Sequence, residues 1–142
     1  MKTRAAAIML SLALFGLNQN PEGWELFNKV TFEPQYFEEA GGYFDVPTFN
    51  KELKALEKTE IVLSGYNIPL ELDSVFIISK SPFSSCFFCG GAGPETVAEI
   101  RFVDPPKHLA PDGFIKVKGR LQLNGNNIDQ LNFILLGAEI IK

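Results

Sequence analysis

The stretch Phe114-Ile115-Lys116-Val117-Lys118-Gly119-Arg120-Leu121-Gln122-Leu123-Asn124 carries the clearest alternation of apolar and polar residues in the chain. From 115 to 123 the odd positions are apolar or glycine, and the even positions between them are polar or charged. This period of two predicts a β-strand with one buried face and one wet face. Gly119 falls in the middle of the apolar face, where a missing side chain permits the bulge or sharp coiling that lets a small barrel close.

Four other apolar segments, bounded by glycine, proline, asparagine or aspartate, predict further strands. The run Asn124-Gly125-Asn126-Asn127 predicts a turn after the long strand, because asparagine and glycine tolerate positive φ. Short connections favour antiparallel pairing of these strands. The five predicted strands cover residues 60–66, 74–79, 96–103, 114–124 and 131–141.

One short helix is predicted over residues 48–56. Phe49, Leu53 and Leu56 share one stripe at helical spacing, and Thr48 is the candidate cap. Five short strands with one such helix predict a mainly β fold, a small five-stranded antiparallel barrel that is partly open and of the oligonucleotide/oligosaccharide-binding type (OB-like). A β-sandwich is the alternative.

The first 20 residues have the order of a secretory signal peptide. Lys2 and Arg4 give a basic start, residues 5–17 carry no charge, and Asn18-Gln19-Asn20-Pro21 is polar. The apolar run is too short to span a hydrocarbon core of roughly 30 Å, so we expect no integral membrane segment once the signal is removed. A buried N-terminal helix is the alternative. We therefore expect residues 1–20 to be the signal of an exported protein, periplasmic or extracellular, and residues 21–142 to form a single OB-like β-barrel domain.

The charge of the expected domain argues against a nucleic-acid partner. Loss of Lys2 and Arg4 with the signal lowers the formal net charge from −4 to −6, and an acidic domain repels a phosphate backbone. Three basic residues, Lys116, Lys118 and Arg120, lie on the wet face of the long strand. We interpret them as a solvated strand face that discourages edge pairing.

The two cysteines of the chain, Cys86 and Cys89, are separated by two residues and precede the turn Gly90-Gly91-Ala92-Gly93. Two thiolates from one turn can bind a metal ion. A closed zinc site would also need His108, the single histidine of the chain, together with a carboxylate or a second protein copy. Two sulfurs alone suit copper(I). The sequence therefore predicts a metal site at Cys86, Cys89 and His108 that holds copper or zinc.

Two other interpretations of the thiol pair stay open. A thiol-disulfide redox factor would exchange electrons through Cys86 and Cys89, although thioredoxin-like enzymes place such a pair at the start of a helix and the glycines here disfavour one. Alternatively the loop is structural, and the barrel face binds a glycan or a peptide. No hydrolase arrangement of a nucleophile with His108 is recognisable. The leading hypothesis is thus a non-enzymatic binding module that holds a metal or contacts a protein partner in the cell envelope.

Five blocks of the chain recur in order in other proteins. They are Trp24 with Val30-Thr31-Phe32, Val46-Pro47-Thr48-Phe49, Leu63-Ser64-Gly65-Tyr66 with Pro69-Leu70, Cys86-Phe87-Phe88-Cys89-Gly90 with Gly93-Pro94-Glu95, and Val117-Lys118-Gly119-Arg120-Leu121. Together they resemble an uncharacterised family of exported bacterial proteins. The resemblance covers nearly all of residues 21–142, and it implies no activity because that family is a domain of unknown function. The last block is also similar to strands of bacterial OB-like domains.

Overall fold

The computed structural model describes residues 22–70 and 75–142, so the predicted signal, residues 1–20, lies outside the described residues. The main elements in chain order are α1 (Gly23–Phe27), β1 (Thr31–Phe37), β2 (Gly42–Thr48), α2 (Lys51–Leu56), β3 (Glu60–Ile68), β4 (Phe76–Ser79), β5 (Val97–Phe102), β6 (Phe114–Leu123) and β7 (Phe133–Ile140). Three short 3₁₀ turns, Phe83–Ser85, Phe87–Cys89 and Pro94–Thr96, lie between β4 and β5. Within these two ranges, no helix has the length and apolar character that crossing a bilayer requires.

Strands β3 to β7 form a closed barrel in the order β3-β4-β5-β7-β6, with β6 pairing back onto β3. The predicted small, mainly β, OB-like barrel of five strands is confirmed. It differs from the expectation in two details, because the barrel is closed rather than partly open and β5 pairs with β7 in parallel. The connection from β5 to β7 contains the whole of β6, which makes it long enough to return the chain in the same direction.

Gly119 has the role that its place in the sequence predicts. The pairing of β6 with β7 shifts register between Lys118 and Arg120. A Cβ atom on Gly119 would lie 3.1 Å from the Cβ of Leu135 on β7, so a side chain here would hold the two strands apart. The missing side chain therefore allows β6 to coil between its two neighbours.

The barrel interior is filled by aromatic and branched side chains. Phe27 of α1 stacks on Phe133 of β7, with ring centroids 3.8 Å apart, and the indole N–H of Trp24 donates to the carbonyl of Ser64 over 2.7 Å. One aromatic stacking contact and one hydrogen bond thus hold α1 against the barrel. The remaining fully buried members of this core include Leu53, Ile61, Leu63, Ile78, Ile100, Val117, Leu121 and Leu135.

The predicted helix is present but begins later than expected. Its cap is Asn50, whose side-chain oxygen accepts from the backbone N–H of Leu53 over 2.8 Å. Thr48 belongs to β2 instead. The stripe that predicted the helix is confirmed, since Leu53 is buried in the core and Phe49 and Leu56 pack against it.

A hairpin that the sequence did not predict precedes the barrel. Strands β1 and β2 pair antiparallel from Thr31 opposite Thr48 to Phe37 opposite Gly42, as a two-stranded sheet of their own. Their residues lack regular alternation, and each strand contains a proline, Pro34 or Pro47, which obscures the strand signal.

Candidate functional site

The loop that carries both cysteines joins β4 to β5 and packs on the outer face of these two strands. Ile78 of β4 belongs to the barrel core, whereas its neighbour Ile77 belongs to a second buried cluster on the other face. Cys86 lies in that second cluster, together with Ile68, Ile77 and Val97. The loop is therefore held to the barrel by its own apolar side chains.

The backbone of this loop is a tight double turn. The carbonyl of Cys86 accepts from the N–H groups of both Cys89 (3.2 Å) and Gly91 (3.1 Å). Gly90 adopts a left-handed conformation with φ of 75°, which glycine adopts without steric cost. A Cβ atom on Gly91 would lie 2.5 Å from the carbonyl oxygen of Ser85. The glycines after the cysteines are therefore explained by the turn itself.

The two thiols differ in their surroundings. Cys86 is fully buried, Cys89 is exposed, and both are reduced. Loss of solvation by surrounding protein atoms, then the charge of Cys86 and a hydrogen bond with its sulfur, raise the pKa of the Cys89 thiol above its ordinary value. A raised pKa lowers the thiolate fraction near neutral pH, so this thiol reacts more slowly than the activated thiol of a redox catalyst.

The third predicted metal ligand is not brought to the thiols. His108 lies exposed in the loop between β5 and β6. Within residues 22–70 and 75–142, no three His, Cys, Asp or Glu side chains are grouped closely enough to hold a metal ion. Copper or zinc at Cys86, Cys89 and His108 stays a prediction of the sequence.

One cleft, the strand cleft, opens on the outer face of β4 and β5 beside Phe88 of the cysteine loop. It measures about 600 Å³ and is lined by Ile77, Phe88, Glu99, Arg101, Ile128 and Gln130, among others. Glu99 is buried, and its Oε1 accepts from Nε (2.8 Å) and Nη2 (2.7 Å) of Arg101. Hydrogen bonds between charged partners are strong, so the guanidinium is fixed in this cleft.

A second cleft, the hairpin cleft, lies between the β1–β2 hairpin and the loop joining β6 to β7. It measures about 400 Å³. The hairpin contributes Phe37, Tyr43, Phe44 and Asp45, the β6–β7 loop contributes Asn126, Asn127, Gln130 and Asn132, and the cysteine loop contributes Phe87. The two phenylalanines between the cysteines thus serve different clefts, Phe87 the hairpin cleft and Phe88 the strand cleft.

The β6–β7 loop, which lines both clefts, is organised around the buried side chain of Asn124. Its Oδ1 accepts from the N–H groups of Asn126 (3.3 Å) and Asn127 (3.0 Å), and its Nδ2 also lies 3.1 Å from the carbonyl of Gln130. The chain reverses after β6 as expected, but residues 125 and 126 form a bend, and the hydrogen-bonded turn lies later, where the N–H of Gln130 donates to the carbonyl of Asn127 over 3.4 Å. The anchoring role of Asn124 was missed, because a run of turn-forming residues does not reveal which one is buried.

Two further parts of the site were missed by sequence reasoning. The alternation in Val97-Ala98-Glu99-Ile100-Arg101 places both charges on one strand face, a signal that was available. The hairpin gave no comparable signal. Among the aromatic residues of the hairpin, Tyr36, Tyr43 and Phe44 are exposed, whereas Phe37 is half-buried.

Comparison with other proteins does not assign a function to either cleft. The likeness to OB-like barrels therefore rests on strand order, and the resemblance to an exported bacterial family stays a prediction. The chain matches no protein-family profile, no curated protein sequence and no solved structure.

Proposed function

We propose that this protein is an exported, non-enzymatic binding module that holds a neutral glycan in the hairpin cleft. The observation that carries the proposal is the pairing of aromatic side chains on the hairpin with amide side chains on the β6–β7 loop across one cleft. Tyr43 is 74% exposed and Phe44 is 40% exposed, so both rings are available to a ligand.

The chemistry of the two sides suits a sugar. An aromatic face packs against the apolar C–H face of a pyranose ring, which is a large contact at little entropic cost. Each amide of Asn126, Asn127, Gln130 or Asn132 offers both a donor and an acceptor, as a row of hydroxyl groups requires. A cleft with apolar surface and a few convergent polar groups is the usual form of a small-molecule site.

The charge of the cleft favours a neutral ligand over a polyanion. Among its described lining residues the charged one is Asp45, and the whole chain has a formal net charge of −4. A phosphate or sulfate polymer would need cationic side chains to replace its counterions. The lack of cationic side chains among the described lining residues therefore favours an uncharged oligosaccharide as the ligand.

The position of the cleft on the barrel supports the same proposal. Barrels of the OB type bind ligands on the face of their second and third strands and at the loop that joins the last two. Of the corresponding elements here, the β6–β7 loop lines the hairpin cleft, whereas β4 and β5 line the strand cleft beside it.

Metal binding through the thiols is a second candidate, motivated by the turn that brings Cys89 back to Cys86, where the N–H of Cys89 donates to the carbonyl of Cys86 over 3.2 Å. Copper(I) accepts two sulfur ligands. The geometry supports it less well, because Cys86 is fully buried in an apolar cluster. Titration of the reduced protein with copper(I) tests it. One equivalent bound by the native protein, and lost in Cys86→Ala, would support the metal site.

The glycan proposal is tested by calorimetric titration with neutral oligosaccharides, hexamers of β-1,4-linked N-acetylglucosamine and of β-1,4-linked glucose. Loss of one stacked ring in Phe44→Ala should weaken binding about fivefold, which corresponds to about 1 kcal/mol. The matched control is Phe114→Ala, an exposed phenylalanine of β6 outside both clefts, and it should bind as the parent does. Equal affinities of the two variants, or saturable binding of extended peptides and no sugar, would contradict the proposal.

A further inference from the structure

We propose that Cys86 and Cys89 form a reversible disulfide in which exposed Cys89 reacts first and buried Cys86 closes the bond, and that this bond fixes Phe87 and Phe88 in the two clefts. The order of reaction follows from the geometry of the loop alone. The effect on ligand binding rests on the proposed glycan function.

The turn places the two residues at disulfide distance. The N–H of Cys89 donates to the carbonyl of Cys86 over 3.2 Å, and such a bond closes a turn whose end Cα atoms lie within about 7 Å of each other. Disulfides join Cα atoms separated by roughly 4.4–6.8 Å. The carbonyl of Cys86 also accepts from the N–H of Gly91 over 3.1 Å, which holds the chain on both sides of Cys89 close to Cys86.

The difference in burial sets the order of events. A thiolate can attack a dissolved disulfide only if the thiolate is accessible to solvent. Cys86 has no exposed surface, so it cannot be the first to react. Cys89 is exposed, so it is the thiol that meets an external oxidant. The Cys86 sulfur then needs to reach only the sulfur of Cys89, which the turn holds nearby in the reduced protein.

The chemistry balances with a low-molecular-weight disulfide, R–S–S–R, as the oxidant. The Cys89 thiolate attacks one sulfur of the oxidant, which forms a mixed disulfide and releases the first R–S⁻. The Cys86 thiolate then attacks the Cys89 sulfur, which forms the Cys86–Cys89 bond and releases the second R–S⁻. The protein loses two electrons and two protons, and the oxidant becomes two molecules of R–SH.

A disulfide would affect the clefts through the two residues that lie between the cysteines. Phe87 lines the hairpin cleft and Phe88 the strand cleft, and a Cys86–Cys89 bond would enclose both. Phe87, the ring that lines the proposed glycan site, is half-buried, so its exposed part must be ordered when a glycan packs on it. Ordering it beforehand removes part of the entropic cost of binding and should tighten binding about two- to tenfold.

The order of reaction is tested with oxidised glutathione and mass spectrometry of the intact protein. The parent should lose two hydrogen atoms in mass with only transient glutathione adduct. Cys86→Ala should accumulate the adduct at Cys89, and Cys89→Ser should stay unmodified. Adduct formation on Cys86 in Cys89→Ser at the rate seen for Cys89, or a parent protein that stops at the adduct, would overturn the proposal. If Cys86→Ala does not fold, peptide mapping of the adduct trapped early in the parent gives the same information.

The coupling to the clefts is tested separately with the β-1,4-linked N-acetylglucosamine hexamer. The oxidised parent should bind it about two- to tenfold more tightly than the reduced parent, and Cys89→Ser should not respond to the oxidant. Equal affinity of the two parent states would overturn the coupling. No binding in either state would contradict the proposed function as well, while the mass measurement would still decide the disulfide.

Discussion

The side-chain amide of Asn124 lies 2.7 Å from the carbonyl oxygen of Asn127, so one buried side chain closes the loop that lines both clefts. The same side chain accepts two backbone N–H groups of that loop. The shape of the candidate site thus depends on a residue that contributes to neither cleft lining.

Asn124→Ala should lower the free energy of unfolding by about 1–3 kcal/mol, because it leaves several loop groups without their partner. Urea denaturation measures the change. Asn126→Ala is the matched control, since Asn126 is exposed, and it should change stability by less than about 0.5 kcal/mol. Equal effects of the two substitutions would show that Asn124 does not organise the loop.

Gly65→Ala should destabilise the barrel by about 1–3 kcal/mol. A Cβ atom on Gly65 would overlap the backbone carbonyl oxygen of Ser79 on the neighbouring strand, and a backbone atom cannot turn away as a side chain does. The control is Gly42→Ala, where the nearest atom to the added Cβ is 3.8 Å away on Phe44. Thermal unfolding should separate the two variants, and a tolerated Gly65→Ala would contradict the close approach of β3 and β4.

Arg101→Met should cost about 1–3 kcal/mol, because it leaves the carboxylate of Glu99 buried without its partner. The double variant Glu99→Gln with Arg101→Met should recover part of this loss in urea denaturation. The exposed pair Lys29 and Glu52, joined over 2.6 Å, supplies the control, since Lys29→Met should cost less than about 0.5 kcal/mol. A loss for Lys29→Met as large as that for Arg101→Met would refute the distinction.

The thiol of Cys89 should make the stability of the folded protein depend on pH in the alkaline range. Its pKa is raised in the folded state, chiefly by loss of solvation, so folding favours the protonated thiol. The resulting stabilisation is fully present below the pKa of the unfolded thiol and is lost as pH rises through the folded-state pKa. The melting temperature of the parent should therefore fall relative to that of Cys89→Ser as pH rises above about 8.5, the ordinary pKa of a cysteine thiol. Parallel curves over that range would contradict the raised pKa.

The barrel was predictable because its strands carry strong local signals. The alternation through Lys116, Val117 and Lys118 reports directly which strand face is buried, and Gly119 marks the point where β6 must coil. The parallel pairing of β5 with β7 was not predictable in the same way, since it depends on where a strand lies after the intervening β6. Local sequence patterns predict where a strand lies in the chain better than they predict which strands pair with it.

The candidate site was harder to predict because its parts come from distant segments. The cysteine pair identified the right loop, but spacing alone does not reveal that Cys86 is packed on Ile77 and Val97 while Cys89 faces solvent. The aromatic residues of the hairpin were visible in the sequence. Their alignment with the amides of the β6–β7 loop exists only in the folded chain.

The most direct test of the glycan proposal is to map amide chemical-shift changes while the neutral hexamers are added to the ¹⁵N-labelled protein. The account predicts saturable shifts at Tyr43, Asn127 and Gln130, on the two sides of the hairpin cleft. Shifts confined to the basic face of β6 around Lys116 and Arg120, or no saturable shifts with either sugar, would contradict it.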